Sequence, residues 1–142
     1  MRISYTGCRR LRVGRKRALL AGALLALSWA LTSSASASTY TIVPGGAPLT
    51  VTTTASGENA TVTFAGTAGG RISLKMSSVT ISQSYVSIQK PDGTNLASNT
   101  LVTSTGSFID TKTLPVSGTY TILVDPLSTY TGSMTLTLTR QS

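Results

Sequence analysis

The stretch "SMTLTLT", Ser133 to Thr139, sets Met134, Leu136 and Leu138 at every second position, with a threonine after each. On a strand this spacing gathers the three apolar side chains on one face and Thr135, Thr137 and Thr139 on the other, whereas a helix would scatter them around its circumference. The segment is therefore predicted as a β-strand with one buried face. "ATVTF" repeats the scheme with Ala60, Val62 and Phe64 inward, and "RISLKM" repeats it with Ile72, Leu74 and Met76 inward, leaving Arg71, Ser73 and Lys75 toward water. "TYTILV" directs Tyr120, Ile122 and Val124 one way. Its Leu123 makes that strand apolar on both faces, as expected of one central in its sheet.

Further strands are predicted over Tyr40–Val43, Leu49–Thr53, Val79–Ser82, Tyr85–Gln89 and Phe108–Thr111, where β-branched residues suit a pleated, half-buried surface. Breakers separate them: "PGGAP" at Pro44 to Pro48, "ASGEN" at Ala55 to Asn59, "GTAGG" at Gly66 to Gly70, "PDG" at Pro91 to Gly93 and "STG" at Ser104 to Gly106. In "KPDGT", Pro91 presets φ for a turn, Asp92 can accept from backbone nearby, and Gly93 takes the positive φ that closes it, so "SYVSIQ" pairs with the segment beyond the turn. No helix is predicted. Short strands with one apolar face each need a second sheet to cover them, which means an all-β sandwich or a small barrel.

The amino-terminal part reads differently. Seven of the twelve basic residues precede position 18, followed by fourteen apolar or small residues, Ala18 to Leu31, and a polar run ending in "ASA", Ala35 to Ala37. That is the layout of a secretory signal peptide spanning residues 1–37, with Ala35 and Ala37 as the cleavage motif. As a helix, fourteen residues reach roughly 21 Å, short of a hydrocarbon core about 30 Å thick, so removal is expected rather than a membrane anchor. Arg9-Arg10 raises the twin-arginine route, but Cys8 and Arg12 stand where that motif has a hydroxyl residue and an aromatic, which favours the general secretory path.

Removing the leader changes the charge. The formal +8 becomes five basic residues (Arg71, Lys75, Lys90, Lys112, Arg140) against four acidic ones (Glu58, Asp92, Asp110, Asp125), a net charge of +1 for residues 38–142. No block of positive charge remains to bind phosphates, which excludes nucleic acid as a partner, and no membrane association is expected after cleavage. Cys8 leaves with the leader, so the core must hold without a disulfide.

Residues 38–142 contain no His, Cys or Trp, which excludes thiolate or imidazole zinc sites and Ser-His-Asp or Cys-His catalysis. Ser73 and Lys75 share a strand face, a spacing that alternation yields by itself. Four dispersed carboxylates leave a glycosidase-like pair as the remaining enzymatic option. Asp92 and Asp125 adjoin prolines in turn-like contexts where Asp caps amides, and Asp110 reads as the anchor of the turn after its strand. No cofactor is expected. Calcium is the one metal left open, with Glu58 and Asn59 supplying part of a shell alongside Asp110 or Asp125; otherwise these are solvated loop charges. For a ligand platform the candidates are Tyr85, off the Val86/Ile88 face, and Tyr130 in the loop "LSTYTG". Asn59-Ala60-Thr61 fits a glycosylation acceptor, although Thr61 is explained by alternation.

Two resemblances bear on this. "LPVSG", Leu114 to Gly118, resembles a sortase sorting signal, but such a signal must be flexible and close to the terminus, and here it leads into a buried strand. More extensively, "VSIQKPDGTNLA" (Val86 to Ala97), "FIDTKTLPVSGTYTILVDP" (Phe108 to Pro126) and "TGSMTLTLT" (Thr131 to Thr139) together resemble the bacterial pre-peptidase C-terminal domain and its actinobacterial relatives. The match covers residues 60–140. It implies a jelly-roll-like, two-sheet antiparallel β-sandwich without catalytic activity, usually appended to secreted hydrolases and sometimes binding matrix polymers or calcium. Two departures limit the transfer: no catalytic domain is expected within these 142 residues, and Gln83 and Ser84 stand where some relatives carry acidic calcium ligands.

The expectation is a leader at 1–37 and a β-sandwich at 38–142, secreted or cell-wall associated. Its role is non-catalytic, binding or structural, toward an unknown extracellular polymer or protein. The alternatives are a carbohydrate-binding module and a small carboxylate hydrolase.

Overall fold

The computed structural model describes residues 37–142, so the expected leader up to residue 36, including Ala35, lies outside the described residues. Nine strands follow in order: β1 (Ser38–Thr41), β2 (Leu49–Thr53), β3 (Ala60–Gly66), β4 (Arg71–Ser77), β5 (Gln83–Gln89), β6 (Asn95–Thr103), β7 (Ser107–Thr113), β8 (Gly118–Pro126) and β9 (Gly132–Gln141). They form a five-stranded sheet ordered β1-β3-β8-β5-β6 and a four-stranded sheet ordered β2-β9-β4-β7. All pairings are antiparallel except β1 with β3, which is parallel. The architecture is an all-β, two-sheet sandwich, and no helix occurs among the described residues.

Alternation dictates what the sheets bury. Val62 and Phe64 from β3, Ile122 and Tyr120 from β8, and Val86 and Ile88 from β5 face Ile72, Leu74 and Met76 from β4 and Met134, Leu136 and Leu138 from β9. Each such side chain stabilises by about 1.5–3 kcal/mol through removal from water. The Phe64 and Tyr120 rings stack with centroids 5.4 Å apart. As the pattern of Leu123 requires, β8 is the middle strand of the larger sheet. Threonines striped along the outer faces meet across strands, as with Thr50 and Thr135 (Oγ1 to Oγ1, 3.3 Å).

Turn chemistry acts where expected. Gly93 has φ +87° and its amide donates to the Lys90 carbonyl at 2.8 Å, closing the hairpin that joins β5 to β6. Asp92 accepts from the Thr94 amide at 2.9 Å and the Thr94 hydroxyl at 2.6 Å. The "LPVSG" segment is pinned: Leu114 is buried and exchanges backbone hydrogen bonds with Gly69 and Gly70, while the Tyr120 hydroxyl donates to the Val116 carbonyl at 2.6 Å. A segment held at both ends does not present itself to a transpeptidase.

Three local expectations are corrected. Val79–Ser82 is not a strand; Val79 and Ile81 point inward as alternation requires, but the backbone leaves the sheet and Thr80 bonds Ser133 at the start of β9 instead. β6 is a full strand that its polar sequence hid, and its register against β5 shifts twice, breaking the alternation. Ser73 is buried rather than facing water, because the β4–β7 register shifts opposite it and the Gln141 side chain donates to its hydroxyl at 3.3 Å.

Candidate functional site

The two ends of the sandwich follow from register. Gly66 and Gly118 pair at one end of the larger sheet, and Ala60 and Val124 pair toward the other. At the first end the chain leaves β1 through Ile42, Val43 and "PGGAP", and it crosses from β3 to β4 through "GTAGG". These loops carry few side chains. Gly66 has no room for one: a Cβ there would stand 2.7 Å from the Leu114 side chain and 2.8 Å from the Tyr120 ring.

Small residues leave that end open as a cleft of about 300 Å³. Ile42, Ile72 and Leu114, each buried, line its apolar interior together with Ala65 and Gly66. Val43, 66 % exposed, and Pro44 line it where it meets solvent. Arg71 and Arg140 complete the lining. Arg140 pairs with Ile72 across the strands, so it occupies the core-side register of β9 one step beyond Leu138. The loop amide of Gly45 donates to the Leu138 carbonyl at 2.7 Å, which fixes this loop on the end of β9. Both arginines are exposed, and no ion pair occurs among the described residues, so neither guanidinium is neutralised by a carboxylate. Chemically, the cleft offers an apolar hole flanked by two guanidinium groups, each a planar donor fork that suits a carboxylate.

The opposite end is closed. Ile81 plugs it, and Thr80 and Ser133 bond reciprocally: the Thr80 amide donates to the Ser133 carbonyl, and the Ser133 amide to the Thr80 hydroxyl, both at 2.8 Å. Here Glu58, expected as a solvated loop charge or calcium ligand, is only 4 % exposed. Its Oε2 accepts from the Thr54 amide at 2.5 Å, the Ala55 amide at 2.9 Å and the Thr54 hydroxyl at 3.3 Å, while its Oε1 accepts from the Ser38 hydroxyl. The Ser38 hydroxyl first, then the Ala55 and Thr54 amides, lower its pKa from 4.5 to about 2. Asp92 is also held below the usual carboxylate range, chiefly by the Thr94 hydroxyl and then its amide.

The other singled-out residues are dispersed. Asp125 is not in a turn but in β8, directly opposite Tyr85 of β5. Asp110 lies within β7, not at its end, and lines a second, polar cleft of about 190 Å³ with Lys112 and Phe108. No three acidic residues gather closely enough to hold a metal among the described residues. Tyr85 is half-buried on the outer face of the larger sheet beside Leu101, which is 48 % exposed. Tyr130 is 39 % exposed in the loop between β8 and β9, and no ring contact joins it to Tyr85. Sequence reasoning missed the cleft, yet one signal pointed to it. Period-two counting from Met134 through Leu138 puts Arg140 on the core face, a place a guanidinium occupies only where the sheet runs out.

The sequence matches no family model and no curated protein. Solved structures do match in fold. One is a periplasmic inhibitor of g-type lysozyme from Aeromonas hydrophila, with 14 % identity, a TM-score of 0.51, and coverage of 74 % of this chain and 99 % of that one. Another is the pre-peptidase C-terminal domain of a collagenase from Bacillus anthracis, with 12 % identity, a TM-score of 0.52, and coverage of 70 % and 93 %. The fold is therefore of the pre-peptidase C-terminal kind, as the run from Val86 to Thr139 implies.

Proposed function

We propose that residues 38–142 are an exported, non-catalytic binding module, freed from its leader after Ala37 and acting outside the cytoplasm, whose binding surface is the open end of the sandwich. The observation that carries this reading is the cleft of about 300 Å³, apolar inside, bordered by Val43, Arg71 and Arg140. Its size lies at the small end of ligand sites, enough for one or two side chains. Two arginines without acidic partners favour a protein partner that inserts an apolar side chain next to a carboxylate. A sandwich of this kind serves as a lysozyme inhibitor in Aeromonas hydrophila, which fits a protein partner better than a polymer.

The test is binding of the secreted domain to immobilised peptides that combine Leu or Phe with Asp or Glu. Sequence-dependent capture is expected, with a loss of tenfold or more in the Arg71→Glu/Arg140→Glu variant. Capture that ignores the charge reversal removes the reading. A second surface, Tyr85 with exposed Leu101, supports a sugar-binding alternative. Glycan-array binding lost in Tyr85→Ala or Tyr130→Ala would favour it. Against an enzyme stand the separation of the carboxylates and the commitment of Glu58 and Asp92 to their own loops. Hydrolysis abolished by Asp110→Asn or Asp125→Asn would restore that option.

A further inference from the structure

Glu58 presents a problem that the binding reading leaves unsolved. A carboxylate only 4 % exposed, held ionised by four donors, has no Lys or Arg partner among the described residues. Hydrogen bonds from neutral groups satisfy its oxygens and favour its ionised form, but no opposite charge stands beside it. Thr54, Ala55 and Glu58 belong to one loop, but the fourth donor comes from Ser38, twenty positions earlier in the sequence. Ser38 docks twice: its hydroxyl on Oε1 of Glu58, and its backbone nitrogen on the Asn59 carbonyl at 3.1 Å. It is also the first residue of β1, whose pairing with β3 is the one parallel pairing among the described strands, and it directly follows exposed Ala37, the expected cleavage position.

We infer that Glu58 and the Asn59 carbonyl form a socket for an α-ammonium, and that the group filling it is the new amino terminus of Ser38. This rests on the leader being removed after Ala37. Hydrolysis of the Ala37–Ser38 bond by a leader-removing peptidase consumes one water, leaves a carboxylate on Ala37, and frees the Ser38 amine, which takes up a proton. One amide hydrogen becomes three ammonium hydrogens at the same place. One retains the Asn59 carbonyl, which leaves two for the carboxylate that Ser38 already contacts through its hydroxyl. Export thus supplies the missing cation and adds an ion pair to the β1–β3 pairing already in place. In the unprocessed chain the same nitrogen is a neutral amide and Glu58 stays uncompensated.

The experiment uses the chain expressed with its leader in a secreting bacterium and recovered from the medium. Mass spectrometry is expected to find a product beginning at Ser38. The pH dependence of α-amine acylation then reports its pKa, ordinarily about 7.7–8.0. Pairing with Glu58 raises it, and a rise of one unit slows acylation at neutral pH about tenfold relative to Glu58→Gln. If Glu58→Gln is not secreted, Ser38→Ala serves: it keeps the amine and the carboxylate, so the raised pKa persists. A product beginning elsewhere overturns the inference. So does a Ser38 amine with an ordinary pKa in the unsubstituted protein. Neither result bears on peptide capture at the far end, so failure here is distinguishable from failure of the binding reading.

Discussion

The two ends of the sandwich are built from opposite materials. One is sealed by chain: Ile81 fills it, Thr80 and Ser133 stitch the loop to β9, and Glu58 gathers amides and hydroxyls from two segments. The other is left unfilled, with Val43 exposed beside a cleft that two unpaired arginines border. The same core runs between them, so the difference arises in the connections. Where loops carry β-branched side chains and hydrogen-bonding groups, the end closes. Where they carry Gly, Ala and Pro, it stays open. In this reading, stability resides at the first end and recognition at the second.

The largest expected effect tests that division. Ile81→Ala removes the plug, which is 1 % exposed, and is expected to destabilise by about 2–5 kcal/mol, read from the urea midpoint. Val43→Ala at the open end is expected to change stability by less than about 0.5 kcal/mol, because its side chain is already in water. Equal effects would dissolve the distinction.

Next comes Gly132→Ala. At φ +145°, an added Cβ would stand 2.7 Å from the Thr80 hydroxyl and 2.9 Å from the Ile81 amide nitrogen, so the plug loop itself must shift. Crowding of this kind costs about 1–3 kcal/mol, and the unfavourable backbone conformation adds to it. Thermal unfolding measures the loss. A variant as stable as the parent would mean that the loop is not seated on β9 as described.

The third test is pH. Glu58 has a folded pKa of about 2 against an ordinary 4.5, so the folded state binds fewer protons than the unfolded one between those values. Its contribution is therefore fully present above about pH 4.5 and is lost as pH falls toward 2. Glu58→Gln should lower the urea midpoint at pH 7 and flatten this part of the profile. Asp92 is lowered in the same direction by its Thr94 contacts, so Asp92→Asn is the necessary control. A profile unchanged by Glu58→Gln would deny the closed end its carboxylate anchor.

How much of this could be read beforehand depends on what is local. Tyr120, Ile122 and Val124 announced their burial by alternation, and Asp92 with Gly93 announced a hairpin, because both signals lie within a few residues. Val79 and Ile81 misled for the same reason. They alternate as in a strand and are buried as in a strand, but a plug loop satisfies that pattern too, and only the bonds to Ser133 distinguish them. Glu58 was half legible: acceptance from Thr54 and Ala55 is local turn chemistry, whereas Ser38 arrives through the parallel β1–β3 pairing that no short window contains. The cleft was least legible, since it is missing volume between segments that meet only at the end of the fold. Tyr85 and Tyr130, chosen for their type, stand on the outer sheet face and in the loop after β8, with no ring contact between them.

The smallest effect on stability is also the one that most sharpens the comparison. Arg71→Glu/Arg140→Glu reverses both charges at the open end, where neither side chain has a carboxylate partner to lose. Exposed, unpaired charges contribute little to folding, so the urea midpoint should move by less than about 0.5 kcal/mol equivalent. Peptide capture depends on those charges and should fall tenfold or more, with weaker salt dependence in what remains. An intact fold with lost binding assigns recognition to the open end. A large loss of stability would instead mean that the arginines hold the sandwich together, and the two ends would then differ in shape but not in purpose.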